Sequence, residues 1–267
     1  MTNDSLLFCL PIMPKNAGNR RRLSRIFLFI FTCLLTVIFS LTWVTAEEEK
    51  PKPKPQDWEI KGIVAALADP YAGVRENAAS KLEEYKLDDL KKQIPNYQDV
   101  VNLLVKQLSP PEKEEKDEKS LSRRAAAYAL GQMQAKDFAA NVAALLKDSD
   151  TSVRYYAASA LGQMQAKDFA ANVAALLKDS DTSVRRAAAS ALGQMQAKDF
   201  AANVTALLKD SDTSVRRVAA SALGQMQAKD FAANVTALLK DSNSDVRRVA
   251  ASALGQMQAK DFAANVT

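Results

Sequence analysis

The chain has 267 residues, 48% of them apolar and 25% charged, which is enough to bury a substantial core and too apolar for a wholly disordered chain. Four units of its formal charge of +5 sit in residues 1–46, where Lys15, Arg20, Arg21, Arg22 and Arg25 face Asp4 alone. The remaining 31 of the 36 basic and 30 of the 31 acidic residues leave a nearly neutral body, so nucleic acid is not expected as a partner.

There is no histidine, and both cysteines, Cys9 and Cys33, lie in the first 46 residues. The body therefore has no disulfide, no thiolate or imidazole metal ligand and no histidine general base. No cofactor, no metal site and no catalytic residue is expected, and the chain reads as a binding protein rather than an enzyme.

In chain order, the basic cluster Arg20–Arg25 precedes an apolar run from Ile26 to about Phe39, then Ser40–Ala46 and the acidic triplet Glu47–Glu49. A positive segment, an apolar segment and a Val-Thr-Ala ending with small residues match a signal peptide cut after Ala46. The alternative is an uncleaved anchor, because residues 26–44 would span about 28 Å as a helix at about 1.5 Å per residue, close to a bilayer core. Both readings place the body outside the cytoplasm, in the periplasm or envelope or secreted, and membrane contact is expected only through residues 26–44 if the segment stays. Residues 47–56 form a spacer in which the alternating Lys-Pro run from Lys50 to Pro55 favours an extended polyproline-type conformation.

Beyond it, the sequence repeats. Gly131, Gly162, Gly193, Gly224 and Gly255 are spaced 31 residues apart, each in the same string Ala-Leu-Gly-Gln-Met-Gln-Ala-Lys-Asp-Phe-Ala-Ala-Asn-Val. In the third unit Val184, Ala187, Ala188, Ala191, Leu192 and Met195 share one face of a helix. Phe200, Val204, Leu207 and Leu208 define a second. Asp181 stands at the expected N-cap of the first helix, and Gly193 near its end implies close approach of the paired helices or a C-cap. Such hairpins cannot bury their apolar stripes alone, so they are expected to stack into an all-α solenoid, a right-handed α–α superhelix. Residues 121–267 hold five units, residues 57–109 read as a divergent cap with Trp58 covering the open end, and residues 110–120 read as a charged solvated loop. The fifth unit stops at Thr267 inside its second helix, as expected of a fragment of a longer array or of an end that frays or pairs with another molecule.

The run from Asp179 to Gly193, Asp-Ser-Asp-Thr-Ser-Val-Arg-Arg-Ala-Ala-Ala-Ser-Ala-Leu-Gly, followed by a turn and Ala-Leu-Leu-Lys-Asp, resembles the short HEAT-like repeat of phycobilisome lyase subunits. The resemblance covers Leu121–Thr267, with a degenerate continuation in Asp69–Leu82. It implies a scaffold that binds protein through the concave face of the solenoid, with an accessory role in chromophore or protein maturation as the alternative. Related repeats occur in deoxyhypusine hydroxylase, whose di-iron centre uses His and Glu; a chain without histidine cannot carry that chemistry. The family's concave face would be lined by the second helices, presenting Lys167, Asn172 and Lys178 and their equivalents Lys198, Asn203 and Lys209 in parallel rows. The rows suit an extended protein partner or are a by-product of duplication. Tyr155 and Tyr156, with Tyr128, break the repeat uniformity and are either binding aromatics or filler against the cap. The Asp/Arg pattern of Asp181, Arg185 and Arg186 implies a ladder between repeats.

Overall fold

A computed structural model describes residues 56–85, 92, 94, 96–109 and 116–259; the leader, the Lys-Pro spacer and residues 260–267 lie outside the described residues. Among the described residues there is no strand. The cap comprises α1 (Asp57–Leu67), α2 (Ala72–Lys81) and α3 (Tyr97–Gln107). The stack continues with long helices α4 (Lys116–Gln132), α6 (Thr151–Gln163), α8 (Thr182–Gln194), α10 (Thr213–Gln225) and α12 (Ser244–Gln256). Between them run the short helices α5 (Ala139–Ala144), α7 (Ala170–Ala175), α9 (Ala201–Ala206) and α11 (Ala232–Ala237).

The long helices α6, α8, α10 and α12 are started by a side-chain cap, and all five long helices are stopped by a turn that the sequence encodes. Asp181 accepts from the backbone N–H of Ser183 at 2.8 Å and of Val184 at 3.1 Å, satisfying donors the first turn leaves orphaned. At the other end Gln196 adopts φ 53°. The Ala197 N–H then donates to Leu192 O at 3.1 Å and the Gln196 N–H to Gly193 O at 2.9 Å, the two bonds of a Schellman stop. Gly193 is therefore not the cap. It lies inside α8, and the left-handed residue of every turn is a glutamine: Gln134, Gln165, Gln196, Gln227 and Gln258.

The predicted core faces are buried except at Phe200, which is half-buried against the core. Val184, Ala188, Leu192 and Met195 have no exposed surface, and Val204, Leu207 and Leu208 are buried from the second segment. That second segment is not one helix. Lys198–Phe200 and Leu207–Lys209 are 3₁₀ turns flanking the six-residue α9, a tightening that satisfies terminal backbone groups.

Gly193 does mark a close approach, but between successive long helices rather than within a hairpin. A Cβ built on it would lie 2.9 Å from Ala222 Cα and 3.0 Å from Ala222 Cβ of α10. The same small-residue contact joins Gly131 to Ala160, Gly162 to Ala191 and Gly224 to Ala253, whereas Gly255 on α12 is exposed with nothing within 4 Å. Among the described residues, successive long helices consequently share the densest backbone contact, while the short helices of neighbouring hairpins share little.

At the cap, two expectations are corrected. Trp58 is 72% exposed and does not cover the end. The position that carries Ala222 in α10 is Lys81 in α2, and Lys81 Nζ lies 2.6 Å from Glu84 Oε1 in an exposed pair, so charge finishes this end of the stack. The charged segment 110–120 is not all loop either, since α4 begins at Lys116. The cap is tied to the array by the Arg75 Nη2 donation to Ser122 Oγ, by Arg124 Nη2 at 2.8 Å from Glu76 Oε1, and by the Tyr97 hydroxyl donating to Met133 O at 2.6 Å.

Candidate functional site

The two adjacent positions near the start of each long helix, both arginine except in α6 where Tyr155 follows Arg154, serve different ends. The first builds the ladder. Arg185 donates from Nε to Asp210 Oδ2 at 2.8 Å and from Nη2 to Asp210 Oδ1 at 3.1 Å, while its Nη1 bonds the carbonyls of Asp179 and Ser180. Arg123–Asp148, Arg154–Asp179 and Arg216–Asp241 are the other rungs, at 2.7, 2.8 and 2.8 Å. These bidentate pairs are largely shielded from water, with side-chain exposures of 8–18%, so they are worth more than surface pairs. The carboxylate partner is the loop aspartate two residues before the N-cap, not Asp181, which is spent on capping.

The ladder fixes the charge states of its members. The Arg154 guanidinium hydrogen-bonded to Asp179 holds that carboxyl below the usual carboxylate range against the opposing effect of burial, and Arg216 does the same for Asp241. At Asp210 burial is the largest influence and pushes upward, but the Arg185 hydrogen bond, the Asp212 N–H and the Arg185 charge together prevail and the carboxyl is lowered. The arginines are correspondingly raised, chiefly by the same hydrogen bonds.

The second arginine of each pair points elsewhere. Through the array that position reads Glu76, Arg124, Tyr155, Arg186, Arg217, Arg248. Arg124 takes Glu76, and Arg248 takes Asp245 on its own helix at 3.2 Å. Arg186 and Arg217 have neither hydrogen bond nor ion pair among the described residues, and they line a cavity of about 230 Å³ with Tyr155, Ser159, Ser190 and Gln194. Beside it Tyr156 meets Tyr128 edge-on at 5.5 Å and Tyr155 at 5.1 Å. Burial raises the Tyr156 hydroxyl above the ordinary phenol range. The three tyrosines thus fill space against the core, and Tyr155 also lines the cavity.

The sequence candidates do not converge on one place. Lys167, Asn172, Lys178, Lys198, Asn203 and Lys209 are all exposed on the short-helix layer, in rows 31 residues apart. None lines the arginine cavity, which with Tyr155 belongs to the long helices. Sequence reasoning passed over Arg186 and Arg217 by grouping both arginines of each pair in the ladder. The distinguishing signal was present in the repeats: the first position is arginine every time, at 75, 123, 154, 185, 216 and 247, while the second varies. A larger cavity of about 590 Å³ lies at the cap between α1 and α2, lined by Trp58, Ile63, Ala66, Val74, Ala78 and Tyr85 among others. Among the described residues no group of His, Cys, Asp and Glu is arranged to hold a metal ion, and no helix is long and apolar enough to cross a membrane. The predicted anchor or signal segment lies outside the described residues.

With this geometry in hand, the comparison with known families is decisive for the array: HEAT repeats match residues 138–207 and 200–266. Residues 138–266 carry HEAT repeats. The HEAT array is similar in fold to a chain from the complex of CpcE and CpcF of phycocyanin lyase from Nostoc sp. PCC7120, at 22% identity and TM-score 0.57, covering 82% of this chain and 85% of that one. It is also similar to YibA of E. coli, at 18% identity and TM-score 0.54, covering 80% and 76%. A third likeness is to a designed armadillo repeat protein in complex with the peptide (KR)4, at 16% identity and TM-score 0.50, covering 74% and 99%. At these identities the likeness is one of fold. No match was found among curated proteins.

Proposed function

We propose that the chain is an exported HEAT scaffold that holds a protein partner along the concave face of its array, and that α6, α8 and α10 line that face. The observation that carries the reading is the unequal spacing of the two layers. Long helices approach to backbone contact at Gly131, Gly162, Gly193 and Gly224, while the short helices of neighbouring hairpins share far less contact. A stack curves toward its more closely spaced layer, because the inner edge of a bend is the shorter one. Concave faces of solenoids are their extended binding surfaces, and this one offers Tyr155 and the Arg186/Arg217 cavity. The lysine and asparagine rows then fall on the outer layer as solvated residues. A protein partner is in keeping with the fold's use elsewhere: the Nostoc relative was solved in a two-protein complex, and the designed armadillo protein with a peptide.

The test is affinity capture by the full chain and two charge variants. Ser159→Glu/Ser190→Glu/Ser221→Glu alters the long-helix face and Lys167→Glu/Lys198→Glu/Lys229→Glu the short-helix face. The expected result is a specific partner retained by wild type and the lysine variant and lost from the serine variant. Nothing retained above background, or loss only in the lysine variant, overturns the reading. Export is supported by the charge and hydropathy order of residues 20–49, and N-terminal sequencing of the exported form is expected to begin at Glu47 if the leader is cleaved. A maturation factor for chromophore proteins is the second reading, favoured by the likeness to the phycocyanin lyase chain. It requires bound pigment in the absorbance spectrum and a cytoplasmic pool, and a colourless, wholly exported protein removes it.

A further inference from the structure

Given that the long-helix face is the binding surface, its charge pattern indicates the chemistry of the partner. Helices α6, α8 and α10 contain no Asp or Glu at all. Nearby carboxylates are committed, Asp179, Asp210 and Asp241 to the ladder and Asp181 and Asp212 to helix capping. Where an arginine of the second row can reach a carboxylate it takes one, as Arg124 does with Glu76 and Arg248 with Asp245. Between those ends Arg186 and Arg217 are half-buried, share one cavity and have no partner among the described residues. Partly buried guanidinium groups without a counter-charge are held at a cost. Hydroxyls of Ser159, Ser190 and Tyr155 in the same cavity add neutral donors, so the lining matches carboxylate oxygens and repels ammonium or guanidinium groups.

We propose that this cavity receives the side-chain carboxylates of an acidic, extended segment of the partner protein, one carboxylate for each of Arg186 and Arg217. The repeat spacing sets the register. Packed helices lie about 8–10 Å apart, which corresponds to about three residues of extended chain at about 3.3 Å each, so an acidic residue at every third position meets successive arginines. Tyr155 at the cavity's N-terminal side gives an adjoining apolar surface for the segment. A nucleic-acid strand fits less well, because the body is nearly neutral overall and the cavity lining offers it two cations, Arg186 and Arg217, with no continuous basic track.

The test is fluorescence anisotropy of the full chain with a fluorescein-labelled (Glu-Ser-Gly)4 peptide, against (Lys-Ser-Gly)4 and oligothymidylate of equal length. Saturable binding of the acidic peptide alone is expected. Arg186→Gln/Arg217→Gln weakens it at least about tenfold, the loss of two charge-assisted contacts, with an unchanged circular dichroism spectrum. Lys198→Gln/Lys209→Gln on the other layer changes it less than about twofold, the size expected of screened surface charge. Absence of saturable binding, equal binding of the basic peptide or the oligonucleotide, or equal loss in the lysine variant overturns the proposal. If the acidic peptide fails while capture through the serine face persists, the acidic character of the partner is refuted and the binding face stands.

Discussion

Gly193 and Gly255 occupy the same position of the repeat yet have different surroundings, and this gives a prediction of opposite sign at two residues of the same type. At Gly193 a methyl group would meet the backbone of Ala222, which cannot move aside, so Gly193→Ala is expected to lower stability by about 1–2 kcal/mol as an overpacking change. At Gly255 nothing lies within 4 Å, so Gly255→Ala removes only the helix penalty of glycine and is expected to raise stability by up to about 1 kcal/mol. Urea midpoints of the two variants decide it, and equal effects would contradict the packing described for α8 and α10. The same residue shows where sequence reading fell short. A glycine near a helix end suggests a cap by composition, but the left-handed residue is Gln196, a choice only the backbone reveals.

Among the elements, the ladder is the main polar link between successive hairpins. Asp210→Ala removes the bidentate partner of Arg185 and leaves a mostly shielded guanidinium without its counter-ion. The expected loss is about 2 kcal/mol, between the values for exposed and for fully buried pairs. The sign with pH follows from the lowered Asp179, Asp210 and Asp241 carboxyls. A carboxyl lowered in the folded state contributes stability that is complete above its unfolded value of about 3.9 and is lost as pH falls from there through the folded value. The arginines stay charged throughout this range. Acid unfolding followed by circular dichroism is therefore expected to steepen below about pH 4 in the wild type, and the triple Asp→Asn variant to lack that steepening.

Much of this element level was legible in the 31-residue period, including hairpins, core faces and the Asp181 cap, because apolar periodicity and capping are local properties. The broken second helix, the start of α4 at Lys116 and the choice of ladder aspartate were not. They depend on how one hairpin meets the next, which no single unit contains.

For the whole molecule, the layer with the tight glycine contacts is the one that carries the paired tyrosines and the two unmatched arginines. Sequence reasoning looked instead to Lys198, Asn203 and their equivalents, because family resemblance pointed to the second helices and because regular rows of identical polar residues attract attention. Spacing between layers is a property of the assembled stack and could not be read from the residues. The most direct measurement is in-cell photo-crosslinking of the full chain with benzoylphenylalanine placed either at Ser190, on the long-helix layer, or at Asn203, on the short-helix layer. The account predicts a discrete protein adduct from position 190 and none from 203. An adduct from 203 alone, or none from either, would contradict it.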